Sequence, residues 1–272
     1  MIRLHPHRNS EAVHPFADAL GDFLELRISR RSASAPIGFD DTRYFAANFE
    51  HNQRHFKLIC ASSPDKGLSS AAIATTKAIN AFRPRYVIMV GICAGVSGRV
   101  ALGDVIVADP SWDWGSGKAR LGTDGAEFFH PAQYQMRLDE SLRALASDLR
   151  SSPQFLNDAA KKFAGAKPTD TPAIHIGAFA SGAAVLQSRP AVEQIIQHHK
   201  DLKAVDMEVY SVMYACHIAN HPRPKCLAAK AVSDFGDDKK SDGYQEYAAV
   251  MSARFFLELL IRLLDPADEV NG

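Results

Sequence analysis

The stretch from Ala204 to Asp238 constrains this chain more than any other. An apolar run ends in Asp206-Met207-Glu208, an amphipathic segment follows, and the Pro-rich break HPRPK leads into a second apolar run. That run, Cys226 to Val232, ends in Ser233-Asp234. Two strand-like runs, each closed by a carboxylate and separated by a helix, have the pattern of a βαβ unit. Open α/β sheets bind their ligands at the carboxyl ends of strands. The two acids are therefore candidates for one site, where one holds a sugar and the other protonates a leaving group.

The rest of the chain supplies walls for such a site. Tyr44 to Phe49 and Phe56 to Cys60 alternate as two antiparallel strands around His51-Asn52-Gln53. Leu68 to Phe82 is Ala-rich and is stopped by Arg83-Pro84, which predicts a helix. Tyr86 to Val90 is a buried strand leading into the small-residue loop Gly91-Ile92-Cys93-Ala94-Gly95-Val96, where backbone could approach a ligand closely. Val105 to Ala108 is another buried strand. The loop after it, from Ser111 to Lys118, holds both tryptophans; it is either pinned by aromatic packing or a substrate lid with Lys118 reaching an anion.

Residues 134–164 read as two helices broken near Ser151-Ser152-Pro153, and His175 to Ala180 as a strand. Residues 190–199 form a helix ending in His198 and His199, read as charge at a helix terminus rather than metal ligands. The last helix, Gln245 to Leu264, is apolar nearly all round, with Arg254, Glu258 and Arg262 on one solvated stripe. It should lie against the sheet or at a subunit contact.

Composition excludes several classes. Lys+Arg and Asp+Glu are 31 each, so no net field favours nucleic acid or a membrane surface. No apolar run reaches the ~18 residues of a membrane span, and MIRLHPHRNS lacks the apolar core of a signal peptide. Cys60, Cys93, Cys216 and Cys226 show no CxxC spacing and read as free thiols in a reducing cytoplasm. No metal site and no cofactor are expected.

Four blocks together carry a resemblance: Val90-Gly91-Ile92-Cys93-Ala94-Gly95-Val96; Leu102-Gly103-Asp104-Val105-Ile106-Val107; Val205-Asp206-Met207-Glu208; and Ala231-Val232-Ser233-Asp234. In this order and spacing they resemble the superfamily of purine nucleoside phosphorylases and methylthioadenosine/S-adenosylhomocysteine nucleosidases, from about Tyr44 to Leu264. The wider wording is similar to a subgroup attached to signalling and defence proteins, some of which degrade nucleotides. The resemblance implies a three-layer α/β/α domain around a central mixed β-sheet over residues 41–265, preceded by an irregular segment, 1–40, with a degraded first strand. It also implies a homo-oligomer, a dimer or a hexamer.

By the same resemblance Glu208 accepts hydrogen bonds from the ribose hydroxyls, and Met207 packs under the sugar. Asp234, preceded by Ser233, faces purine N7. Val185 and Leu186 flank the base, and the Ile92-Cys93-Ala94 backbone lies beside base and sugar. The chemistry fits: a carboxylic acid hydrogen-bonded to the purine lets it leave as a neutral base. That acid must hold or share a proton near neutral pH, which burial and a neighbouring carboxylate favour.

Two departures from the family pattern decide the reaction expected. Phosphorylases of the superfamily place an Arg and a Ser around the glycine that matches Gly91; here Met89 and Ile92 stand there, and neither side chain can donate to phosphate. Water is then the nucleophile, and the chain a purine nucleosidase acting on an adenine nucleoside or nucleotide. Nucleosidases, however, usually keep a hydroxyl where Ile92 stands. The water-activating base of nucleosidases, a Glu just after the first strand, finds its match in Glu11. Lys118, Lys239, Lys240 and Arg43 are candidates for a 5′-phosphate. A phosphate-dependent phosphorylase and a catalytically silent nucleoside-binding domain remain the alternatives.

Overall fold

Five apolar strands pair in a closed circuit at the centre of the protein. In the computed structural model the described residues are 42, 44–51, 54–121, 125, 127–132, 134–237 and 242–264. Strands β1 (Tyr44–His51) and β2 (Arg54–Ala61) form an antiparallel hairpin, His51 opposite Arg54. Helix α1 (Leu68–Phe82) follows, then β3 (Tyr86–Gly95), β4 (Val105–Asp113) and the small hairpin β5 (Gly117–Leu121) and β6 (Glu127–Pro131). Helices α2 (Glu140–Ser151) and α3 (Gln154–Lys162) lead to β7 (Ile174–Ser181) and α4 (Arg189–His198). The chain ends with β8 (Leu202–Asp206), α5 (Val209–His217), β9 (Lys225–Asp234) and α6 (Gln245–Leu264).

The central sheet is mixed, as expected, and it closes on itself in the order β3-β8-β7-β4-β9. β3 and β9 run parallel; β8, β7 and β4 run the other way. Period-two alternation sends side chains to opposite faces. Ile88 and Val90 of β3, with Leu227 and Ala229 of β9, pack under α2, α3 and α6. Val87 and Met89, with Ala228 and Val232, pack under α1 and α5. The last helix therefore lies on the sheet, and its near-continuous apolar surface is the largest contribution to that core.

Two strands run further than their apolar cores suggest. β3 continues through Gly91 to Gly95, because Gly91 to Ala94 stay in the ladder with β9 and Gly95 pairs with β8; the expected loop is strand. β4 continues through Ser111-Trp112-Asp113. Its register against β7 shifts between Ala108 and Ser111, where Pro110 has no N–H to donate. Trp112 is wholly buried and stacks on His199 at 5.2 Å, so aromatic packing, not a lid, explains it.

The β8-α5-β9 segment is also not the parallel βαβ unit its pattern suggested. β3 lies between β8 and β9, and β8 runs antiparallel to it. The two carboxylate-bearing ends still meet, because β3 bulges after Cys93 and its Ala94 pairs with both Val205 and Asp234.

Gly103 marks a tight point in this frame. Its φ is +86°, its N–H donates to Val232 O at 2.8 Å, and a Cβ would sit 2.3 Å from Tyr247 Cε1. Tyr247 is buried and held edge-on by Phe163, so it has little room to yield. Gly103→Ala is expected to cost about 2–4 kcal/mol from backbone strain and overpacking, read as a lowered urea midpoint; an unchanged midpoint would contradict this packing.

Candidate active site

The site is built where β3, β8 and β9 end. Asp206 closes β8 and accepts from the N–H of Val209 at 3.1 Å, while the Ser181 hydroxyl accepts from Tyr210 N–H at 2.9 Å. These bonds satisfy the first free N–H groups of α5. Glu208 stands at the N-cap position of that helix, yet its side chain makes no capping bond. It is directed instead into a charged cluster.

Lys230 lies at the centre of that cluster. It shares the alternation phase of Ala228 and Val232 on β9, is 1% exposed, and sends its Nζ to Asp206 Oδ2 at 2.6 Å and to Glu208 Oε2 at 2.9 Å. Burial pulls its pKa down, but the two carboxylates outweigh burial, and the net shift is upward. Lys230 therefore stays cationic, and the three side chains together carry one excess negative charge. The other oxygen of Glu208 accepts from the Gly67 N–H at 3.0 Å, just ahead of α1. The bonds from Lys230 and Gly67 take up two of the roughly four acceptor sites of an ionised carboxylate.

Asp234 ends β9 at 7% exposure. Its Oδ1 accepts from Gly236 N–H at 2.8 Å and its Oδ2 from the Ser233 hydroxyl at 2.9 Å. The Ser233 hydroxyl also lies 3.3 Å from Cys93 O. The carboxyl is thus held in one orientation by its own strand end.

Between these groups is a cavity of about 330 Å³. Glu208, Met207, Ile92, Cys93, Ala94, Val185, Leu186, Ser233 and Asp234 all line it, so the residues nominated for sugar and base are brought to one place, Glu11 aside. Cys93 is buried, and burial raises its thiol pKa well above the ordinary value, which makes it inert packing. Met89 points away into the α1/α5 core. Glu11, Arg43, Lys239 and Lys240 lie outside the described residues. Lys118 is exposed on the small β5–β6 hairpin and does not line the cavity.

Sequence reasoning missed Lys230, Lys66, Gln187 and Gln245, which also line the cavity, and it gave Asp206 no role. For Lys230 a signal was present: one charged residue inside the apolar run CLAAKAV. A buried lysine requires a carboxylate partner, and two stood in the neighbouring block.

A family model described as the Phosphorylase superfamily matches residues 27–265. The chain belongs to that superfamily. Among superfamily relatives it is 27% identical to ATP nucleosidase Cap17 of Escherichia coli over 203 residues, 72% of this chain and 39% of that protein. It is 26% identical to the 5′-methylthioadenosine/S-adenosylhomocysteine nucleosidase of Haemophilus influenzae over 201 residues, 72% of this chain and 78% of that protein. The chain spans about half, or less, of the longer curated relatives that it matches (54% and 39%). Its fold is that of the native futalosine hydrolase of Helicobacter pylori, with a TM-score of 0.69 at 21% identity, covering 96% of this chain and 95% of that one.

Proposed function

We propose that the protein is a purine nucleosidase, which hydrolyses the N-glycosidic bond of an adenine nucleoside or nucleotide. One observation carries this reading: a single cavity holds a strand-end acid, Asp234, and a lysine-clamped carboxylate, Glu208, with a net negative charge beside the sugar position. The nucleosidase relatives support it.

In this mechanism Glu208 accepts hydrogen bonds from the ribose 2′- and 3′-hydroxyls, and Met207 packs beneath the ring. Val185 and Leu186 cover the base, with the Ile92-Cys93-Ala94 strand along its other edge. Asp234 donates its proton to N7 as the bond from C1′ to the base breaks, so the base leaves neutral. Positive charge then develops on the sugar, facing the excess negative charge of Asp206, Lys230 and Glu208, and fixed charge aimed at a developing charge is an effective source of rate. Water adds to C1′ and passes a proton to Glu11, the general base of this reading; Glu11 then releases that proton to solvent and Asp234 is reprotonated from solvent.

Water is favoured over phosphate because Met89 is buried in the core and Ile92 presents only hydrocarbon to the cavity. The working unit is a homo-oligomer. Ile73 on α1, Tyr214 on α5 and Ile218 just after it are large apolar side chains, each more than 40% exposed, and suit a subunit contact. Free thiols suit a cytoplasmic setting, and among the described residues no helix is long and apolar enough to cross a membrane.

The test is direct. The protein is incubated with methylthioadenosine, S-adenosylhomocysteine, adenosine, inosine, AMP and ATP, with and without inorganic phosphate, and free base is measured by chromatography. Adenine release without phosphate is expected. Release only in the presence of phosphate, or binding without release, would overturn the reading.

A further inference from the structure

Among the lining residues that the proposed reaction leaves without a task, Lys66 carries a charge. Lys66 is exposed at the cavity wall, in the loop between β2 and α1. Among the described residues it has no hydrogen-bond or ion-pair partner. Its backbone is nonetheless held firmly. Ser63 Oγ bonds to Asp65 O at 2.8 Å, Asp65 N–H donates to Ser70 Oγ at 3.3 Å, and the next residue, Gly67, donates to Glu208 at 3.0 Å. Lys66 is therefore one residue away from a direct bond to the carboxylate assigned to the ribose.

We propose that Lys66 makes this site selective for adenine nucleotides, by binding a phosphoryl group carried on C5′. This deepens, and rests on, the nucleosidase reading. In that reading the base lies at Asp234 and the 2′- and 3′-hydroxyls at Glu208, so the substituent that remains is the one on C5′. The cavity, at about 330 Å³, is near the lower end of the ~300–1,000 Å³ range of small-molecule sites. It holds a nucleoside, and a phosphate chain must extend through the mouth.

Charge separates the two regions. The inner groups, Asp206 and Glu208 against the single cation Lys230, repel phosphate from the sugar end. Lys66 presents the opposite sign at the rim. Asp65 beside it does not line the cavity, and the first turn of α1, immediately after Gly67, contains no acidic side chain. An ammonium on a flexible stem acts on phosphate as a point charge, which suits mono-, di- and triphosphates alike.

The test compares kcat/KM for adenosine, methylthioadenosine, AMP, ADP and ATP in the wild type, Lys66→Met and Lys66→Arg, at low and high salt. We expect the wild type to favour nucleotides over adenosine at least tenfold, Lys66→Met to reduce that ratio at least tenfold, and Lys66→Arg to restore most of it. High salt should reduce the ratio in the wild type and leave it little changed in Lys66→Met. An equal loss on adenosine and on nucleotides would make Lys66 structural and overturn the proposal. Acceleration of adenosine cleavage by inorganic phosphate, lost in Lys66→Met, would assign Lys66 to a phosphate nucleophile and also overturn it. Cleavage of adenosine or methylthioadenosine but not of nucleotides sinks this proposal alone. Absence of base release from every substrate sinks the nucleosidase reading beneath it.

Discussion

Asp234→Asn should lower kcat for adenine release by roughly 10²–10⁴-fold while KM stays within a few-fold of wild type. The fold around it should persist. The Asn side-chain oxygen can still accept from Gly236 N–H, and the Ser233 hydroxyl can rotate to accept from the new amide, so the strand end keeps its partners. What disappears is a transferable proton. A riboside with a p-nitrophenolate leaving group, which departs without protonation, separates acid catalysis from a general loss of the site. The variant should retain much of its activity on that compound. Activity on adenosine within a few-fold of wild type would remove Asp234 from the acid role.

The second large effect concerns stability. Lys230→Met would leave Asp206 and Glu208 buried side by side with no cation between them, and breaking a buried ion cluster in this way costs about 3–5 kcal/mol. The deficit should shrink as pH falls and the carboxylates take up protons. In the wild type the sign is opposite. The folded pKa of Lys230 is raised above 10.5, so its contribution is complete below that value and is lost only as pH climbs through the folded one. Urea unfolding at pH 5, 7 and 9 checks both statements: the gap between variant and wild type should be widest at neutral and alkaline pH. A gap that does not depend on pH would mean that Lys230 acts through packing alone. The same substitution should also raise KM, because Glu208 loses the ammonium that holds it in place.

Local signals in the sequence were good where local physics decides the structure. Helix α1 spans Leu68–Phe82 because Ala-rich residues favour it and Arg83, in the left-handed region with φ 46°, precedes Pro84 and closes it. Helix α6 spans Gln245–Leu264 because its apolar surface has a sheet to cover. The misreadings were non-local. Gly91 to Gly95 looks like a loop because small residues do not signal a strand, yet β9 pairs with Gly91 to Ala94 and β8 with Ala94 and Gly95. Ser111 to Asp113 is strand for the same reason, with β7 as its partner. The βαβ reading failed because sequence adjacency does not show that β3 is interposed between β8 and β9. At the site, residues within recognisable blocks were legible, whereas Lys66 and Gln245 lie far away in the chain and reach the cavity only through folding.

The double pairing of Ala94 sets a limit on how such a site can diversify. Because one residue of β3 is laddered to Val205 on one side and Asp234 on the other, the gap between sugar carboxylate and base acid is gauged by main-chain hydrogen bonds. Side-chain substitution barely moves that gauge. Changes at the rim, at Lys66 and in residues 184–187, can therefore exchange one substituent for another while the distance over which the glycosidic bond is cut stays constant.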